Sequence, residues 1–593
     1  KIQGYLVSLK RGEPRERVFG HKFPLRPSEI GHLLNPKKEE EEKREKVVEE
    51  DAVRALEAKI TKPLFEVNVR LVASAGSVFQ ANDILDGIAA GFTQLAAPRR
   101  NEFKIVKAKN PKKLTYQFIF RKFDSSQIVT LNSEEIASFY HFPTPFMETP
   151  KVKWLKSKEA PPPPNLPAKG VLVGESVFRG QVRQIYISDE DRMRHIYVVG
   201  QTGTGKSTLM SRMIIDDIEK GKGVAMIDPH GDLVETILGH IPQHRVEDVI
   251  YFDPSDLWRP LGLNMLDYNL NRPEEKTFIV NEMQGIFNKL FPPETMGPMF
   301  EQYMRNALLL LMEDMAEEPA TLVEVPRVFT DPEYLKRKLA RIHNPVLIDF
   351  WEKEAAKAGG EASLANMTPY ITSKFNNFIS NDYMRPIIGQ PKSAFNFREV
   401  MDNGKILLIN LSKGRIGDIN AGLLGMVISG KLLMAALSRV DIPDTARRDF
   451  NFYIDEFQNF TTDSIATILS EARKYRLSLT MAHQFVAQLA EKIKDAVFGN
   501  VGSEIVFRVG VQDAEFLVKQ FAPIFDENDL INIDNFNAYM RILVNGETTK
   551  PFNIKTLSLE HGSAELIHNL KEYSRAKYGK DRQTIEQEIY KRL

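Results

Sequence analysis

Residues 195–215 read HIYVVGQTGTGKSTLMSRMII. Arg194 to Val199 form a short β-branched and aromatic run, the composition of a buried strand. Gly200-Gln201-Thr202-Gly203-Thr204-Gly205-Lys206-Ser207 then satisfies G-x-x-x-x-G-K-[ST] at every fixed position. Small residues let the backbone N–H groups of such a loop curl around phosphate oxygens. The helix that follows, with Thr208 in its first turn, points its positive N-terminal end at the same anion. In this geometry Lys206 reaches the β- and γ-phosphates and Ser207 holds Mg²⁺. The stretch therefore implies a bound nucleoside triphosphate on an α/β fold.

Hydrolysis needs a carboxylate for the metal and another for the attacking water. Asn451 to Glu456, NFYIDE, supplies both at the end of an apolar strand, Asp455 for Mg²⁺ and Glu456 for water. The next strand, Leu477 to His483, ends at Gln484, whose amide is a candidate for the γ-phosphate or the water. Between them, Arg473 in EARKYR projects from a helix end, where it is a candidate to reach a nucleotide on a neighbouring subunit. Asp228, His230 and Asp232 in IDPHGD invite a metal reading, but a loop beside the nucleotide with Asp232 capping the next helix is the better one.

The chain has 593 residues, with 79 basic and 79 acidic side chains. That balance excludes a uniformly basic surface, so a nucleic-acid surface must be local. There are no cysteines, which removes disulfides, cysteine zinc sites and thiol catalysis. No run of 18 apolar residues is present. The sequence opens at Lys1 without methionine or signal pattern, so an upstream segment is expected, with a membrane anchor as one candidate.

Working outward, residues 1–62 read as an arm and a charged helix: KKEEEEKREKVVEED at 37–51 leads into Val53, Leu56 and Ile60 at helical spacing. Residues 63–158 read as a small α+β domain, with a strand through FEVNVRLVAS, a helix at 79–95, strands at 103–106 and 114–120 and a helix at 134–140. EAPPPPNLP marks a Pro-rich spacer within 159–170. Strand-like runs recur at 194–199, 223–228, 249–253, 405–411, 451–455, 477–482, 504–509 and 538–544. Helical patterns separate most of them, which predicts a mostly parallel sheet with helices on both faces in 171–264 and 396–557. Between them, 265–395 reads as an inserted all-α domain, and 558–593 as a helical tail. Lys413 and Arg415, in the glycine-punctuated NLSKGRIG, are candidates to face DNA or a neighbouring protomer, with Lys374 a weaker one.

The GQTGTGKS loop, IDPHGDL, the helical insertion, YIDEFQNF, EARKYRLSLTMAHQF and GNVGSEIVFRVG together resemble the HerA–FtsK superfamily of motor ATPases. More narrowly they look like the TraG/TraD-like coupling-protein branch of type IV secretion, over residues 171–557 and weakly into LKEYSRAKYGKDRQTIEQEI. The resemblance implies a RecA-like P-loop NTPase domain, ATP and Mg²⁺ as cofactors, and a homo-hexameric ring that drives DNA through its channel. It implies Lys206 and Ser207 as the Walker A pair, Asp455 and Glu456 as the Walker B pair, Gln484 as sensor and Arg473 as the arginine acting in trans, with Arg508 the second choice. It further implies type IV secretion components as partners and a cytoplasmic location, at the inner face of the inner membrane where an upstream anchor is present. Two other functions suit the same residues: a cytosolic HerA-like motor for DNA processing or defence, and a secretion-machine assembly ATPase acting on protein.

Overall fold

A computed structural model describes residues 2–13, 50–97, 102–141, 157–360 and 363–593, in two compact units, Lys1–Trp154 and Leu155–Leu593. In the first unit, helices Ile2–Lys10 and Glu50–Ile60 are joined by a Lys10–Glu57 ion pair at 2.5 Å. Strand β1 (Leu64–Val67) runs antiparallel to β2 (Val129–Asn132). The expected strand stops at Val67 because the Asn68 amide turns to the Asp124 and Gln127 carbonyls. Residues 102–108 form no strand. The expected strand at 114–120 is instead a helix, Pro111–Ile119, because Asn110 caps it and Pro111 occupies its first position. Helices Val78–Gly91 and Ser133–Phe139 form near their expected places, but the first stops short of residue 95 and leaves Ile84 and Ile88 of its expected apolar face exposed. The charged run before Glu50 lies outside the described residues.

The second unit is built on an eleven-stranded sheet. In chain order its strands are β3 (Val171–Phe178), β4 (Gln181–Ile187), β5 (Ile196–Val199), β6 (Gly223–Asp228), β7 (Val249–Phe252), β8 (Ile406–Asn410), β9 (Phe450–Ile454), β10 (Leu477–His483), β11 (Ser503–Val506), β12 (Asn537–Arg541) and β15 (Phe552–Lys555). A hairpin of β13 (Leu543–Val544) and β14 (Glu547–Thr548) stands apart. The order is β4-β3-β15-β12-β11-β5-β10-β9-β6-β8-β7. From β11 to β7 every pairing is parallel, and from β11 out to β4 every pairing is antiparallel. The central strands are buried along their whole length, which is why they read as continuous apolar runs.

Among the described residues of 265–395 there are helices and no strand, but they share one continuous hydrophobic core with the sheet. Phe287, Phe375 and Phe378 pack together there, as a buried stripe of helices Glu274–Leu290 and Leu364–Ile379. The Pro-rich stretch is docked rather than a free spacer. Ala160 and Leu166 are buried, and Arg183 donates to the Pro163 and Leu166 carbonyls. The tail also packs: helix Ala564–Tyr578 meets β7, where Tyr251 N–H donates to Ser574 Oγ at 2.8 Å. Helix Asp418–Leu437, part of the one described segment long and apolar enough to cross a membrane, is a core helix, and its most apolar window is 83% buried.

Candidate nucleotide-hydrolysis site

Strand register brings the candidate residues together. His483 of β10 is level with Val199 of β5, and Met481 is level with Ile454 of β9. Gly200, Asp455 and Gln484, each just past the end of its strand, therefore leave the sheet at one edge, with β10 between the loop strand and the acidic strand. This is the edge at which open α/β sheets bind ligands.

Two glycines shape the loop. A Cβ on Gly200 would fall 2.5 Å from Phe507 Cβ, so only glycine lets the loop pass the chain leaving β11. Gly205 has φ 121°, a conformation closed to most side chains, and opens helix Lys206–Glu219. The loop is tied on both sides: Gly200 N–H donates to His483 O at 3.3 Å, and Gln201 N–H to Arg508 O at 2.9 Å. Arg508 Nε also donates to Gln201 Oε1 at 3.3 Å, a bond to its own chain's loop.

Lys206 Nζ donates to Gly200 O at 2.6 Å and Gln201 O at 3.1 Å. Burial lowers its pKa, while Asp455 and Glu456 push it up. Asp455 N–H donates to Ile227 O at 3.1 Å, which carries the β6–β9 ladder one residue further. Burial, then the charges of Asp228 and Glu456, raise its carboxyl from 3.8 to about 6. Glu456 sits at φ 49°, the left-handed region, and this bend swings its side chain off the strand. Its Oε1 accepts from Gln484 Nε2 at 2.7 Å and its Oε2 from Gln458 Nε2 at 2.6 Å. Gln484 thus meets Glu456 directly, and Gln458 holds the other oxygen.

Three carboxylates crowd this corner, and Lys206 is the cation that faces them. The excess negative charge that raises Asp455 fits a divalent cation beside it. Among the described residues no group of three His, Asp or Glu is arranged to hold a metal. Mg²⁺ at a phosphate site takes one or two protein ligands and fills its shell with phosphate oxygens and water.

Other candidates are placed differently. Asp232 does not cap the helix Asp232–Leu238; Asp228 does, accepting from Leu233 N–H at 2.8 Å and Val234 N–H at 3.2 Å. Its carboxylate lies close enough to the backbone to replace the expected cap. Arg473 precedes β10 and so lies at the opposite sheet edge from its own phosphate loop, beside Glu190 at 3.6 Å. Lys413 lies 3.4 Å from Asp418 and lines a cavity of about 190 Å³ with Lys289 and Gln458. Arg415 is exposed and donates to Ser255 Oγ at 3.3 Å. Lys374 is buried over the Tyr370 and Phe300 rings at 4.0 and 4.6 Å, which removes it as a surface contact. Gln458 escaped sequence reasoning, because its bond exists only once Glu456 bends left-handed.

Residues 172–290, from β3 through the phosphate loop to helix Glu274–Leu290, match the family model described as the central domain of helicase HerA. Residues 449–522, which hold Asp455, Glu456, Arg473, Gln484 and Arg508, match the model described as the TraM recognition site of TraD and TraG. Two segments of the chain are thus similar to the HerA central domain and to the TraG/TraD family. No curated protein matches the chain in sequence. Similar solved structures include the bacterial conjugative coupling protein TrwBΔN70, at 16% identity and a TM-score of 0.48 over 66% of this chain and 90% of that one. TrwB in complex with ADP and Mg²⁺ gives 16% and 0.48 over 68% and 92%. VirB4 of Thermoanaerobacter pseudethanolicus gives 14% and 0.43 over 66% and 97%.

Proposed function

We propose that this ATPase is a DNA-translocating motor, a homo-hexameric coupling ATPase of conjugation or type IV secretion. The observation that supports this best is the convergence of the phosphate loop with Asp455, Glu456 and Gln484 at one sheet edge, inside segments matching HerA and TraG/TraD models. The loop amides of Gly200 to Thr208 cradle the ATP phosphates, and Lys206 exchanges its loop carbonyls for β- and γ-phosphate oxygens. Mg²⁺, held by Ser207 and Asp455, neutralises charge on the β- and γ-phosphates when bound. Glu456 orients the attacking water and accepts its proton, and its two amide partners fix where that carboxylate points. Gln484, bonded to Glu456 on one side, can report the γ-phosphate on the other.

Arg473 acts on the nucleotide of a neighbouring subunit, since it sits at the far edge from its own loop. Lys413 and Arg415 contact DNA phosphates or the next protomer. The working place is the cytoplasm at the inner membrane, with secretion components as partners. The test is ATPase activity of the full chain with single- and double-stranded DNA across salt concentrations. Stimulation that fades with salt supports the motor on DNA. Hydrolysis indifferent to both forms of DNA removes that reading.

A further inference from the structure

Phe536 is costly to fold as it stands. It is a phenylalanine at φ 64°, the left-handed region that bulky residues avoid, and the residue is left 49% exposed. An asparagine or glycine would make the same bend without strain or exposed apolar surface. The surroundings nevertheless hold Phe536 firmly. Its N–H donates to Thr204 O of the phosphate loop at 2.7 Å, and its carbonyl accepts from Thr556 N–H at 2.8 Å and Thr556 Oγ1 at 3.2 Å. Strain that is over-determined in this way gathers at ligand sites.

The ring is aimed at the loop. A Cβ built on Gly205 would lie 3.3 Å from Phe536 Cδ1 and 3.1 Å from its Cα, so the phenylalanine lies against the glycine that opens the phosphate-binding helix. Phe507, whose Cε1 lies 3.1 Å from the same Cβ position, is fully buried and belongs to the core. Of the two, Phe536 is the aromatic that keeps exposed surface. Once the loop holds the phosphates, the sugar and base of the same molecule must lie alongside it. A flat exposed ring fixed to the loop backbone offers that base a stacking surface.

We propose that Phe536 is the stacking platform for the base of the nucleoside triphosphate whose phosphates sit in the 200–207 loop. The inference rests on the nucleotide reading of that loop. Stacking is tolerant of base identity, so it supplies affinity for purine nucleotides with little choice between adenine and guanine.

The experiment measures dissociation constants of the full chain for ATP and for inorganic tripolyphosphate, which carries the phosphates and no base. Two variants are compared with wild type: Phe536→Asn, which suits the left-handed turn, and Phe536→Trp, which keeps an aromatic face. Phe536→Asn is expected to weaken ATP about tenfold, leaving tripolyphosphate within twofold, and Phe536→Trp to keep ATP near wild type. Tripolyphosphate binding also shows that the variant loop is folded. Equal weakening of both probes makes Phe536 a support for the loop and overturns the proposal, as does unchanged ATP binding in Phe536→Asn. Lys206→Ala is expected to lose both probes. Wild-type protein that binds neither overturns the loop reading itself, and the platform with it.

Discussion

Acidification from pH 7 to pH 5 is expected to cost the unit that holds the phosphate loop about 2 kcal/mol through His195 alone. His195 opens the loop strand at φ 63° and is 1% exposed. Its Nδ1 accepts from Leu479 N–H at 3.1 Å, which leaves the proton on Nε2, 3.2 Å from the Leu469 carbonyl. Burial pushes its pKa down from 6.5 to about 4, against a smaller upward pull from the Leu469 carbonyl. The folded-state pKa is below the unfolded one, so the stabilisation is present above pH 6.5 and is lost as pH falls towards 4. At pH 5 the unfolded imidazole is charged and the folded one neutral, and linkage gives the loss of about 2 kcal/mol. The perturbation is His195→Asn, which tolerates the left-handed turn and does not titrate there. At pH 7 it is expected to cost about 1–3 kcal/mol for the lost carbonyl bond. Urea unfolding followed through Trp351, buried in the same core, reads both proteins. The gap between them should shrink by about 2 kcal/mol at pH 5. Asp455, raised to about 6, titrates with the opposite sign, and comparing the two proteins cancels it. A gap of equal size at both pH values would refute the reasoning.

Glu456→Gln is expected to bind ATP normally and to stop turnover, read by nucleotide binding and phosphate release; full activity removes Glu456 from its role. Gln458→Ala takes away one of two amide donors on that carboxylate. A hydrogen bond to a charged group contributes about 1.5–3 kcal/mol, so kcat should fall at least tenfold with KM within twofold, and an unchanged kcat counts against the positioning role. Arg473→Ala subunits should bind ATP yet poison mixed assemblies. Activity that declines in simple proportion to the fraction of mutant subunits argues that Arg473 does not act across subunits.

The sequence by itself determined the chemistry that is local in the chain. Gly200 to Ser207 and the pair Asp455–Glu456 are legible because each needs only consecutive residues at a strand end. The buried parallel strands were legible too, since burial on both faces leaves an unbroken apolar run, as in Gly223–Asp228. Of the antiparallel wing only β12 was, within the run 538–544. β3, β4 and β15 lack such runs, and the Arg179–Gly180 turn that joins β3 to β4 depends on positive φ at both residues. Helix Pro111–Ile119 shows the opposite failure, an aromatic run that suited a strand until Asn110 and Pro111 set a helix start.

Only the tertiary structure decided which residues meet. Glu456 and Gln484 are 28 positions apart and bond because β10 lies beside β9. Gln458 joins them through a left-handed bend, Asp228 becomes a helix cap, and Lys374 disappears into an aromatic cluster. Strand order and backbone bends are properties of the whole packed sheet. Motif chemistry can be read from neighbours in sequence, but a partner across the sheet exists only after the chain has folded.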